Sequence, residues 1–153
     1  MSIAEWAKKN IWLTREMGCE VGRYNPDITP WVYVIFDAYQ DRKVEGIVWA
    51  KPAQIGGSLT SQICIAWVID CDPSNIINFM DTADNARYAS KKRIQPMIDS
   101  QPSIREKVNP PARRTILDIP FDGGTLMLTG ANSVSQLGNK SAPRVHRDET
   151  GKW

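Results

Sequence analysis

The sequence predicts an α/β fold with a mainly parallel sheet in three layers. Apolar, strand-like runs at Val44 to Ala50 and Ile76 to Met80 alternate with helical stretches at Ser58 to Ile69 and from Thr82 onward. The run Gly46-Ile47-Val48-Trp49-Ala50 shows no polar alternation, which suits a strand buried on both faces. Gly56-Gly57 lies between that run and the helix Ser58 to Ile69, where a sharp strand-to-helix turn is needed.

The elements run in order along the chain. Residues 1–18 read as a helix, with Ile3, Trp6, Ala7, Trp12 and Leu13 near helical spacing and Gly18 and Gly22 closing it. Arg23 to Pro30 is loop by its prolines and turn formers. Trp31 to Tyr39 comes after a proline, as helix starts often do. Its run Trp31-Val32-Tyr33-Val34-Ile35-Phe36 is equally rich in strand formers, so both states stay open there. Asp72 to Asn75 is a turn. Thr82 caps a helix that runs through Ala86, Ala89 and Ile94, and Pro96 is expected to break or kink it. Residues 99–114 carry three prolines and read as irregular. Thr115 to Ile119 and Thr125 to Thr129 flank Phe121-Asp122-Gly123-Gly124, a β-hairpin with a glycine turn. Gly130 to Ser133 is loop, and Arg144-Val145-His146-Arg147 is a further strand of poor strand composition.

Composition bounds the function. A chain of 153 residues suits one domain, and 42% hydrophobic with 24% charged residues is ordinary for a globular protein. A net charge of +2 gives no whole-chain argument for nucleic-acid binding. Lys91-Lys92-Arg93 and Arg113-Arg114 are short basic clusters; on a helix the first reads more readily as a solvated face than as a track for DNA phosphates, and DNA contact stays open for both. Cys19, Cys64 and Cys71 form no CxxC pair, and His146 is the single histidine, so a zinc site lacks ligands and reduced thiols are expected. Met1 to Lys9 is amphipathic and charged, unlike a secretion signal. No segment approaches the ~18–20 apolar residues of a transmembrane helix. The expectation is a cytoplasmic protein.

The chemistry concentrates at two places. Lys51-Pro52-Ala53-Gln54-Ile55-Gly56-Gly57-Ser58 has the layout of a phosphate-binding loop with its lysine moved to the front. Such a loop aims backbone N–H groups and the positive end of a helix at phosphate oxygens. Against the usual GxxxxGK[ST] pattern, Gly56 takes the second glycine and Ser58 the hydroxyl. Gly57 falls on the lysine position and Lys51 on the first glycine. Because the loop curls around the phosphates, a long side chain at its first position reaches the same charge. The plainer reading is a simple βα turn with a solvated lysine. About ninety residues on lies Asp148-Glu149 at the end of the last strand. Adjacent carboxylates there divide the work of nucleotide hydrolysis, Asp148 on the metal shell and Glu149 on the attacking water. Alone, such a pair reads as a solvated acidic turn. His146 is read as structural.

In this order and spacing, the two motifs resemble those of the large subunit of tailed-phage DNA-packaging terminases of the lambda type, whose variant Walker A loop has its lysine at the front. Further stretches fit the resemblance: Glu16-Met17-Gly18 with Asp27-Ile28-Thr29-Pro30-Trp31 on the adenine side, Gln95-Pro96-Met97-Ile98, and Leu128 to Ser133 with Ser141 and Arg144 leading into the Walker B motif. Asp81-Thr82 departs from the Pro-Thr common in that family.

The resemblance implies a P-loop NTPase-like sheet of the RecA, additional-strand type. It implies ATP and Mg2+ as ligands. Lys51, Gln54, Gly56, Gly57 and Ser58 would bind the nucleotide, Ser58 and Asp148 would hold Mg2+, and Asp148 and Glu149 would be catalytic. Implied partners are double-stranded DNA, a small terminase subunit, a portal protein and further copies of the chain, in the host cytoplasm. Residues 1–40 would form the N-terminal helical, adenine-side region, and residues 41–153 a partial ATPase core. Family members are several times longer, so the expected chain is a piece truncated after the Walker B strand, without the remaining core strands or the nuclease. Two other classes stay in view: an inactive interaction module, and a helicase-like nucleotide-binding domain.

Overall fold

The computed structural model describes residues 1–17, 20–50, 56–108, 110, 113–131 and 141–148. Its centre is a four-stranded, mixed and mostly parallel sheet flanked by helices. The strands are β3 (Ile76–Met80), β4 (Asp118–Phe121), β5 (Gly124–Gly130) and β6 (Arg144–Arg147), in the order β4-β5-β3-β6. β3 runs parallel to both β5 and β6, and β4 joins β5 antiparallel at one edge. The α/β class and the mainly parallel sheet thus stand as expected.

The long helix α3 (Gly57–Cys71) organises the core. Thr60 and every residue from Gln62 to Ile69 are buried, so the helix is covered nearly all round. That pattern marks a central helix and explains why its sequence lacks an amphipathic stripe. Helices α1 (Ile3–Asn10), α2 (Val32–Gln40) and α6 (Pro102–Arg105) pack against it. Trp6, fully buried, donates from its indole Nε1 to Asp70 Oδ2 at 2.7 Å, and Lys107 pairs with Asp70 Oδ1 at 2.6 Å. One carboxylate near the end of α3 therefore ties in two other parts of the chain.

Several expectations are corrected. The first helix ends at Asn10 instead of near residue 18. Trp12–Leu13 (β1) and Gly22–Arg23 (β2) form a small antiparallel ribbon. The cause is tertiary: the buried Gln101 amide accepts from the Trp12 N–H at 2.8 Å and donates to its carbonyl at 2.6 Å. A distant side chain thus takes both backbone groups that a helix would have used. For Trp31 to Tyr39, open between helix and strand, the structure has helix α2. Val44 to Ala50, expected as a buried strand, is not one. It pairs with no described strand, and Val48 is 98% exposed. An apolar run becomes a strand only where a neighbour completes its ladder of hydrogen bonds.

Thr82 caps α4 (Ala83–Ala89), accepting from the Asn85 N–H at 3.1 Å. Pro96 does not end the helical path. A π-helical segment, Ser90–Ile94, leads into α5 (Gln95–Ser100), with the Gln95 N–H reaching back to the Ser90 carbonyl. Pro96 then sits in the first turn of α5, where its missing N–H does no harm. Residues 99–114 are less irregular than expected, since they contain the single turn of α6. The hairpin forms, with its first strand shifted to Asp118–Phe121. Thr115 is occupied in a turn, its N–H donating to the Asp118 carbonyl at 2.8 Å. At the hairpin tip Gly123 has φ +91, and a Cβ there would lie 2.6 Å from Pro73 Cβ.

Replacing Gln101 tests the long-range anchor. Gln101→Ala leaves the Trp12 N–H and carbonyl unpaired and opens a cavity, so a loss of about 2–4 kcal/mol is expected. A lower urea midpoint with unchanged slope is the expected reading, and an unchanged midpoint overturns the assignment.

Candidate functional site

The site lies where α3 begins and the parallel strands end. Gly56 caps α3 in the left-handed region, φ +82 and ψ 18, a conformation that costs a residue with a Cβ. The Thr60 N–H and hydroxyl both donate to the Gly56 carbonyl at 2.9 Å, closing the first turn. Gly57 and Ser58 then place their backbone at the positive end of a 15-residue helix.

Ser58 Oγ donates to Asp148 Oδ2 at 2.9 Å, across 90 residues of sequence. Asp148 comes directly after β6, and its N–H donates to the Phe79 carbonyl at 3.2 Å, which extends the β3–β6 ladder by one step. The carboxylate therefore stands at the carboxyl end of a parallel strand, facing a helix N-terminus. Open α/β sheets place their ligand crevice at such a position.

The polar composition of β6 now has a reason. Strand alternation puts Arg144, His146 and Asp148 on one face, and each meets a helix. His146 Nδ1 lies 2.8 Å from Ser61 Oγ, one helical turn beyond Ser58, and Nε2 lies 2.7 Å from the Tyr39 hydroxyl. A neutral imidazole donates at one nitrogen and accepts at the other, and both hydroxyls can take either role. Arg144 lies over the rings of Tyr39 at 4.9 Å and Trp67 at 5.7 Å, and pairs with Asp72. Burial pushes the Tyr39 hydroxyl well above its usual range. It also lowers His146 to about 4, helped by the Arg144 charge. His146 is thus a neutral link between α2 and α3, with the partners that sequence could not name.

Beside the Ser58–Asp148 contact is a narrow cavity of about 30 Å³, lined among others by Gln62, Asn78 and Arg93. Gln62 is 5% exposed, and its Oε1 has no partner among the described residues. None of these three stands out as a site residue in the sequence. The signal, such as it is, was a polar residue inside an apolar run, Gln62 ahead of Ile63 and Asn78 within Ile76 to Met80. A larger, open depression of about 600 Å³ lies near Arg87, Gln95 and Arg114. It shares no residue with the cavity beside Ser58, and its arginines are paired with Asp84 and Asp99.

Of the expected site residues, Gly56, Gly57, Ser58 and Asp148 are brought together. Lys51, Gln54 and Glu149 lie outside the described residues. Ser58 and Asp148 offer hard oxygen donors side by side, which suits Mg2+, an ion that takes few protein ligands and keeps several waters. Among the described residues no group of three or more His, Cys, Asp or Glu side chains could hold a metal ion. Burial pushes the Cys64 thiol up to about 12, away from the thiolate form that a nucleophile or metal ligand needs. Among the described residues no helix is long and apolar enough to cross a membrane.

The His146 shift predicts an acid sensitivity of the fold. Its folded pKa of about 4 lies below the ordinary 6.5. As pH falls between those values the unfolded chain takes up a proton that the folded chain refuses. Stability is then lost toward low pH, by at most about 1.4 kcal/mol per pH unit. In His146→Gln this slope is removed. The excess stability of the wild type, compared by urea unfolding at about pH 7 and about pH 4.5, is expected to shrink at the lower pH; a constant excess contradicts the assignment.

Comparison with known proteins gives one family. The model described as "Phage terminase large subunit gpA, ATPase domain" matches residues 18–153. No curated protein and no solved structure matches the chain. With nearly its whole length matched, the chain belongs to the family of ATPase domains of the phage terminase large subunit gpA.

Proposed function

We propose that this chain binds Mg-ATP at the α3 N-terminus and forms the ATPase part of a motor that packages double-stranded DNA. The observation that carries the reading is the Ser58–Asp148 hydrogen bond, 2.9 Å long. It pairs the hydroxyl of one motif with the first carboxylate of the other. Nucleotide binding is what membership of an ATPase family implies.

In this reading Lys51 contacts the β- and γ-phosphates, Gln54 takes part in binding the nucleotide, and Gly56 and Gly57 offer backbone N–H groups. Ser58 and Asp148 hold Mg2+, which when bound offsets phosphate charge. Glu149 orients a water and accepts its proton as the oxygen attacks the γ-phosphorus. The bond from that phosphorus to the β–γ bridging oxygen breaks, and ADP leaves. Residues 1–40 form the adenine-side region and residues 41–153 the core, of RecA-like additional-strand type. The packaging partners are DNA, a small terminase subunit and a portal.

Calorimetric titration with Mg-ATPγS tests the site. The wild type is expected to bind, and Lys51→Ala to lose at least tenfold in affinity, about 1.4 kcal/mol. Ser58→Ala is expected to lose most of the dependence of binding on Mg2+. Full affinity in Lys51→Ala would falsify the lysine assignment, and unaltered Mg2+ dependence in Ser58→Ala would remove that residue from the metal.

A further inference from the structure

The wall of the cleft opposite α3 carries a cation that no motif accounts for. Arg93 lines the same cavity as Ser58 and Asp148. It belongs to the exposed run Lys91-Lys92-Arg93, but its position sets it apart from a solvated basic face. Arg87 and Arg114, on neighbouring parts of the chain, are paired with carboxylates at 3.2 and 2.9 Å. Arg93 makes no ion pair with any described residue. An arginine that forms no ion pair at a cleft, even with the Asp148 carboxylate lining the same cavity, is a charge available to an anion.

The backbone that presents it is unusual. Residues 90–94 are π-helical, between α4 and α5. One added residue rotates the downstream helix by about 100° relative to a continuous α-helix. Ala89, Arg93 and Ile94 all line the cleft as a result of this path. Single π turns inside helices occur often at functional sites.

A second observation points the same way. Gln62, one turn beyond Ser58, lines the cavity with a buried Oε1 that no described group satisfies. A buried acceptor left unpaired is costly. A guanidinium has five donors in a plane, enough to give one to Gln62 and others to a phosphate. At about 30 Å³ the cavity admits a water and no phosphate. A terminal phosphate held by Ser58 and Asp148 would therefore lie at its mouth, where Arg93 lines the same cavity.

We propose that Arg93 contacts the γ-phosphate of the bound nucleotide and stabilises the charge on the transferring phosphoryl group, with Gln62 orienting its guanidinium. The idea rests on the nucleotide site proposed above. It makes Arg93 a catalytic residue and the element that tells a triphosphate from a diphosphate. A magnesium-bound triphosphate keeps net negative charge after one lysine is counted, and phosphoryl transfer is catalysed mainly by such positioned charge.

The test compares wild type, Arg93→Ala, Arg93→Lys and Gln62→Leu for affinity to Mg-ATPγS and to Mg-ADP, and for ATP turnover. In Arg93→Ala the ADP affinity is expected to stay within about twofold, while ATPγS affinity falls about tenfold, a loss of about 1.4 kcal/mol. Turnover is expected to fall at least a hundredfold. Lysine should restore part of the affinity and little of the turnover, because it lacks the planar fork. Gln62→Leu should lower turnover with both affinities nearly unchanged. Equal loss for both nucleotides, or an unchanged ratio between them, overturns the role of Arg93 and leaves the site standing. A wild type that binds neither nucleotide overturns the site and Arg93 together.

Discussion

The seam between α3 and β6 is the constraint on which the site depends. Three side chains at alternate positions of β6 and the residue after it meet two helices: Arg144 over Tyr39 and Trp67, His146 between Tyr39 and Ser61, Asp148 against Ser58. Each contact is polar, and polar contacts demand geometry. A slip of β6 by one residue would turn Val145 and Arg147 toward α3 and remove all three. The ladder to β3, which pairs Asn78 with His146, sets that register from the other side. Hydrophobic burial alone would leave α3 freer to slide or rotate against the strand. The hydrogen bonds specify one arrangement, and they bring a hydroxyl of the first motif to a carboxylate of the second.

The rest of the fold keeps α3 in place. Its apolar middle, Ile63 to Ile69, is enclosed. Near its C-terminus Asp70 gathers Trp6 and Lys107, so α1 and the segment after α6 are tied to the same helix. Gln101 carries the backbone of Trp12 and so fixes the entry to the β1–β2 ribbon. These anchors lie away from the α3 N-terminus. That end, started by a glycine in the left-handed region, faces the cleft beside Asp148. The division is between a rigid, apolar body of the helix and an open, polar start, as an anion site at a helix N-terminus requires.

The sequence alone determined those elements whose signal is local. The helix after Gly56-Gly57, the strand Ile76 to Met80, the Thr82 cap and the glycine-turn hairpin depend on short-range periodicity and turn chemistry, and the structure has each of them. The family too was legible, because its motifs are ordered along the chain. Tertiary structure decided whatever needed a distant partner. Val44 to Ala50 has the composition of a strand and no described neighbour to pair with. The first helix stops at Asn10 because Gln101 claims the next backbone groups. β6 is a strand despite its charges, since Arg144 finds partners on α2, on α3 and at Asp72 just beyond it, and Arg147 lies over Phe79 of β3. Gln62, Asn78 and Arg93 enter the cleft only through the packing of α3, β3 and the π-helical turn. Periodicity records which face of an element avoids water. It does not record which other element that face will meet, and the chemistry of this site depends on those meetings.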